Sequence, residues 1–326
     1  MSAADEPVEE VDAQGSAVRV VSRAEMRAGN LRHRAVYVLV LDGAGRLLAH
    51  RRADWKDVWP GRWDVAFGGV AGVGEPPDVT ARRELAEEAG VGVPLERLGE
   101  GGYEDAEVRV RGPVFLARSD GPFAFADGEV VETAWVEVDE LPRWLAGRSL
   151  CPDSVAIALP LLRRALRTAM LDRYAAAPDV LAAALHGLPA EALAFRPAPA
   201  AWSITDVALH LADNEAVDFV RLRTAIAESG SLIQRYDEAV WARELDYAGE
   251  DVEEALLAFR VLRARSRRLL GRLPEDAWTR TLRRPEGGER TVEQKVRGDL
   301  DHVDLHLRQI ADLRAAWEAG AGAGRR

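Results

Sequence analysis

The stretch that most constrains this chain is Gly69 to Val91, GVAGVGEPPDVTARRELAEEAGV. Its fixed positions are Gly69, Glu75, Arg83, Glu84, Glu87, Glu88 and Gly90, with apolar Leu85 and Val91, spaced G-x5-E-x7-R-E-U-x-E-E-x-G-U where U is apolar. Seven identities and two apolar positions at fixed spacing coincide by chance on the order of one time in a million or less in a chain this long. Pro76 and Pro77 suit a helix entry, Asp78 suits its cap and Gly90 suits a left-handed stop, so Val79 to Ala89 is predicted to be helical. Glu84 and Glu88 are then one turn apart with Glu87 beside them, which places three carboxylates on one helix surface. Such like charges repel unless a cation lies between them. A cluster of hard oxygen ligands suits Mg2+ or Mn2+, with positions left for water and substrate phosphates. The glycines ahead of Glu75 permit close backbone approach to a phosphate, and Arg83 is placed to orient one glutamate through a charge-assisted contact.

At 326 residues the chain is long enough for two domains, each able to bury a core. Its net charge of -11 argues against broad binding to nucleic acid or anionic membranes, both of which need basic patches. Cys151 is the only cysteine, so no intrachain disulfide forms; it reads as a buried, inert thiol, and a cytoplasmic location is natural. No run of 18 apolar residues is present, and the N-terminus is acidic rather than basic and then apolar, so neither a signal peptide nor a membrane span is expected.

Residues 1–16 are acidic and poor in large apolar side chains, the composition of a disordered lead-in. Val18 to Val21 reads as a short strand. Ala35 to Leu41, bounded by Asp42-Gly43, and Arg46 to Arg51 read as a buried hairpin. Trp55 to Val70 carries three tryptophans, read chiefly as core or loop cover with a ligand role left open. Glu104 to Arg118 and Glu132 to Val138 alternate as strands do, so an α/β domain with a mixed sheet is expected over residues 17–155.

The 69–91 spacing is that of the Nudix box. Together with HRAVYVLVLDGAGRLLAHRR and WPGRWDVAFGGV, it resembles the branch of the Nudix superfamily that includes isopentenyl-diphosphate isomerase-like proteins and YfcD-type hydrolases. The resemblance implies an α/β/α sandwich and metal-dependent attack of water on a diphosphate. It implies Glu84, Glu87 and Glu88 as metal ligands, with the Gly69 carbonyl as a further one and Arg83 supporting them. It offers Glu132 as general base and Arg51 and Arg52 as diphosphate ligands. The isomerases carry a reactive cysteine where this chain reads DVAFGGV, so hydrolysis rather than isomerisation is expected.

Ser154 to Met170 is helical in pattern, with 156–167 read as a connecting helix or linker. Beyond it, strand-like runs vanish and helical periodicity dominates. Four helices are expected within 168–318, an all-α four-helix bundle: Ala169 to His186, disturbed at Pro178; Ser203 to Glu228, opened by an S-x-x-D capping box; Glu250 to Leu270; and Thr291 to Trp317. Residues 319–326 read as a flexible tail. His302 and His306 are one turn apart and project the same way, while His210 borders the apolar stripe of the second helix.

WSITDVALHLADNE, followed downstream by DHVDLHLRQI, resembles the DinB/YfiT-like metal-binding bundles. The resemblance implies that His210, His302 and His306 share a divalent ion such as Zn2+ or Ni2+. Three imidazoles leave a position for water or a low-molecular-weight thiol. The leading expectation is a Mg2+-dependent Nudix hydrolase acting on a diphosphate in a nucleoside-diphosphate-linked or related small molecule, fused to a metal-binding bundle, with homodimers a possibility in both families. The alternative makes the bundle the main enzyme, a metal-dependent S-transferase or hydrolase, with the Nudix domain as ligand sensor.

Overall fold

The computed structural model describes residues 3–323. It divides into two compact units, Met1–Leu166 and Arg167–Arg326. The first is built from β1 (Pro7–Val11), β2 (Ala17–Ser22), α1 (Arg23–Ala28), β3 (His33–Arg34), β4 (Tyr37–Leu41), β5 (Leu47–Arg52), β6 (Trp63–Asp64), α2 (Pro77–Ala89), β7 (Leu95–Glu104), β8 (Arg109–Arg118), β9 (Val130–Val136), α3 (Leu141–Leu145) and the start of α4 (Pro152–Leu185). The strands form one mixed sheet in the order β2-β1-β3-β8-β4-β5-β6, with β7 also on β8 and β9 also on β5. The β3–β8 and β4–β8 pairs are parallel and the others antiparallel.

Both faces of this sheet are buried, which explains the unbroken apolar run of β4. Val36, Val38 and Val40 pack with Leu85 and Ala89 of α2, while Tyr37, Leu39 and Leu41 pack with Leu141, Ile157 and Leu162 on the other face. Alternate side chains of one strand therefore seat a helix on each side.

Residues 1–16 differ from the disordered lead-in expected for them; 1–2 lie outside the described residues. Pro7–Val11 is a strand with Val8 and Val11 buried, and its acidic neighbours are matched by arginines. Glu10 pairs with Arg19 at 2.7 Å, Glu9 with Arg34 at 2.7 Å and Glu6 with Arg23 at 2.8 Å. The acidity that suggested disorder is neutralised across the sheet.

The second unit contains the rest of α4, α5 (Ala190–Leu193), α6 (Ile204–Ala227), β10 (Ser231–Leu232), α7 (Glu238–Glu244), α8 (Val252–Leu270), β11 (Thr281–Arg283), β12 (Glu289–Thr291) and α9 (Val292–Ala323). The long helices α4, α6, α8 and α9 form the bundle, with Leu181, Val207, Phe259 and Val303 meeting in its core. Ser203 and Asp206 form the reciprocal capping box that opens α6. Beside the expected helical bundle lies a small three-stranded sheet, β10-β11-β12, whose short polar strands give little periodic signal. The expected connecting helix at 156–167 is part of one continuous helix, α4, which Pro178 does not interrupt. It runs through Pro160 and Pro178, and apolar neighbours such as Leu159, Leu162, Ala177 and Leu181 anchor it around both positions. The helix α9 likewise takes in 319–323 of the expected tail, whereas 324–326 lie outside the described residues. No helix among the described residues is long and apolar enough to cross a membrane.

Candidate functional site

The helix α2 opens at Pro77 rather than Val79, with Pro76 at its N-cap; Asp78 lies inside the first turn and pairs with Arg82 at 3.0 Å instead of capping. Gly90 stops it with φ +69° and donates its N–H to the Ala86 carbonyl. The loop ahead of the helix is held to β4 by Phe67 and Gly69, whose carbonyls accept from Val38 at 2.7 Å and Val36 at 3.0 Å. Gly68 has φ +148°, and a Cβ there would lie 2.0 Å from the Val36 carbonyl oxygen. A Cβ on Gly69 would lie 2.6 Å from Glu84 Oε2. Gly68 is required by the backbone, whereas a Cβ at 69 would push the Glu84 carboxylate aside; together the two glycines bring this backbone against two glutamates.

Glu88 is 8% exposed and accepts from the Gly68 N–H at 2.9 Å. Burial pushes its carboxyl up to about 8; the Gly68 hydrogen bond opposes this and the Glu84 charge adds to it. Burial also raises Glu84, against the pull of Arg83. Arg83 contacts Glu75 at 3.2 Å, Glu84 at 2.9 Å and Glu87 at 3.0 Å, and these anions raise its own pKa, led by the hydrogen bonds to Glu75. Glu87 is the exposed member of the three.

These groups border a cavity of about 310 Å3. Also lining it are Arg23 and Arg27 from α1, Arg52 from β5, and Lys56, paired with Glu6, Asp57, Asp64 and Glu129 respectively. Glu129, in the turn before β9, closes the ring and is paired with Lys56. Aromatic Trp59 and the Tyr37–Asp153 hydrogen bond of 3.0 Å complete the wall.

In the second unit, α6 and α9 bring three histidines together. His302 Nε2 lies 3.2 Å from His210 Nε2 and 3.0 Å from His306 Nε2. Among the described residues this is the one group of three His, Cys, Asp or Glu side chains whose ligand atoms lie within 4.8 Å of one another. Burial and the neighbouring imidazoles lower His210 to about 3 and His302 to about 4, and burial lowers His306. All three are therefore neutral at physiological pH. His306 Nδ1 meets Gln309 Oε1 at 2.8 Å, which fixes the Nδ1–H tautomer and turns the Nε2 lone pair toward the other histidines. Trp202 stacks on His306 and covers His210.

The model of the NUDIX domain matches residues 31–151, and that of the DinB superfamily matches residues 173–310. The Nudix hydrolase YfcD of Escherichia coli K12 is 39% identical over 170 residues, covering 52% of this chain and 93% of its own. The chain belongs to the Nudix hydrolase family. A Salmonella typhi YfcD is 40% identical over 172 residues, covering 52% of this chain and 92% of the relative. In this chain the DinB superfamily match falls within the second unit. Among solved structures, YfiT from Bacillus subtilis, with an unusual four-helix bundle topology, matches at TM-score 0.45 and 22% identity over 47% of this chain and 87% of its own.

Within the Nudix domain, Gly69, Arg83, Glu84, Glu87, Glu88 and Arg52 all reach the same cavity. Arg51 and Glu132 do not. They pair with each other at 3.1 Å, the Glu132 side chain 56% exposed, at matching positions of β5 and β9. A register shift between Arg51 and Arg52 directs the latter inward. The carboxylate that faces the glutamate helix is Glu129, which lies in a turn outside any motif. The Gly69 carbonyl accepts from Val36, and the glycine leaves the space that Glu84 occupies. Cys151 is fully buried, and burial raises its thiol. In the bundle, sequence reading missed Glu238, whose Oε2 lies 3.8 Å from His210 Nε2. It also missed Asn214, whose amide nitrogen lies 3.4 Å from His302 Nδ1 and donates to Asp218 at 3.0 Å.

Proposed function

We propose that the Nudix domain is a Mg2+- or Mn2+-dependent hydrolase of a diphosphate bond in a nucleoside-diphosphate-linked or related small molecule. The observation that carries this reading is the pairing of half-buried Glu84 with buried Glu88, both raised by burial, on the wall of a cavity that Arg23, Arg27 and Arg52 also line. Two carboxylates so placed are destabilised without a cation, and an all-oxygen donor set completed by Glu87 fits a hard divalent ion. Such an ion supplies charge neutralisation at the departing phosphate and acidifies the attacking water. Arg23, Arg27 and Arg52 bind and orient the diphosphate oxygens. Glu129 replaces Glu132 as the proton acceptor, held in place by Lys56. Arg83 spaces the glutamates through Glu75, Glu84 and Glu87. A phosphate-release screen in Mg2+ across nucleotide sugars, dinucleotides, nucleoside triphosphates, coenzyme A and prenyl diphosphates tests the reading. Turnover lost in Glu84→Gln and retained in Glu132→Gln supports it; turnover that survives Glu84→Gln refutes it.

We also propose that His210, His302 and His306 hold Zn2+ or Ni2+. At bond lengths of about 2.0–2.1 Å, two nitrogens on a tetrahedral ion lie about 3.3 Å apart, close to the 3.0 and 3.2 Å found here. The ion supplies a Lewis-acid position open to water or a low-molecular-weight thiol. The chain's own part is to keep three imidazoles neutral and oriented, through burial, Trp202 and Gln309.

A further inference from the structure

The second unit holds a cavity of about 280 Å3 that belongs to neither site above. It is lined by Arg221 of α6, Arg235 from the segment after β10, and Arg284 and Arg290 from the β11–β12 hairpin, together with Glu286 and the apolar side chain of Ile233. Four guanidiniums thus converge with a single carboxylate, in a chain whose net charge is -11.

Arg221 is fixed. It donates to Asp218 Oδ1 at 3.0 Å and to the Gln234 carbonyl at 2.6 Å, and its buried Nε has no partner. Arg235 reaches Glu286 only at 3.5 Å. Arg284 and Arg290 show no ion pair among the described residues. Arg284 and Arg290 thus lie beside two paired guanidiniums without an ion pair of their own, and the arrangement is relieved by an anion that several can grip at once.

We propose that this cavity binds a small phosphorylated molecule. Its phosphate would lie among Arg235, Arg284 and Arg290, and its organic part along Ile233. A tetrahedral dianion offers oxygens to donors from several directions, whereas one planar carboxylate is satisfied by one guanidinium fork. Arg221 is eleven residues beyond His210 on α6, about 16 Å along the helix axis at 1.5 Å per residue. The ligand is therefore separate from the histidine centre. This inference is independent of the two readings above.

Calorimetric titration of the full chain with inorganic phosphate, in EDTA at low ionic strength, tests it. The expected result is binding that weakens at least tenfold in the double variant Arg284→Gln/Arg290→Gln. It stays within a fewfold in Arg284→Lys/Arg290→Lys, which keeps the charges. Unchanged affinity in the glutamine double variant overturns the proposal. So does loss in Arg52→Gln alone, because phosphate then binds the Nudix cavity only. Succinate binding as tightly as phosphate overturns the phosphate assignment.

Discussion

Glu88→Gln should stabilise the metal-free Nudix domain at alkaline pH while abolishing its activity. The buried carboxyl is raised from an ordinary 4.5 to about 8. Between those values the unfolded chain has released this proton and the folded chain has kept it, so stability falls as pH rises through the window. At about 1.4 kcal/mol per decade, the loss attributable to Glu88 approaches about 5 kcal/mol above pH 8. Glutamine has nearly the same shape and still offers an oxygen to the Gly68 N–H, so it removes the charge and leaves the hydrogen bond. The expected gain is about 2–5 kcal/mol near pH 9, and falls below about 1 kcal/mol near pH 5, where the folded wild-type carboxyl is neutral. Hydrogen exchange across α2 in EDTA, corrected for the intrinsic pH dependence of exchange, reads this domain apart from the bundle. Glu87→Gln, at an exposed carboxylate paired with Arg83, is the control and should leave the wild-type pH dependence in place. Adding Mg2+ should raise protection in the wild type and not in Glu88→Gln. Equal protection of wild type and Glu88→Gln near pH 9, or a gain that persists near pH 5, would refute the reasoning.

Outcomes are expected for three further variants. Gly68→Ala should cost about 4 kcal/mol or more, since its Cβ meets a backbone oxygen and its φ is strained, whereas Gly69→Ala should leave the melting temperature nearly unchanged and lower turnover at least tenfold by displacing Glu84; thermal melts and initial rates separate the two. His210→Ala should drop zinc or nickel content, measured by elemental analysis after purification, from about one ion per chain to a small fraction, with Nudix turnover unaffected.

Much of the acidic site is legible in sequence because its parts are local. The glutamates of α2 sit three and four residues apart, and the stop at Gly90 follows from backbone conformation alone. What faces them is not local. Glu129 and Arg52 enter the cavity through the pairing of β5 with β9 and the register shift beside Arg51, and no pattern within either strand records that shift. The family resemblance therefore offers Glu132, which faces Arg51 instead. The bundle shows the same division. His302 and His306 announce themselves by one helical turn, but His210 joins them only because α6 packs on α9, a contact across 92 residues that spacing does not reveal. Likewise β1 carries the composition of disorder because its acidic residues find their arginines on β2, α1 and β3, outside any short window.

The most direct test of the central claim is a Mn2+ titration of the full chain followed by electron paramagnetic resonance. The account predicts that Glu84→Gln/Glu88→Gln loses one bound Mn2+ that His302→Ala/His306→Ala retains. Equal Mn2+ binding by the wild type and the glutamate double variant would contradict it.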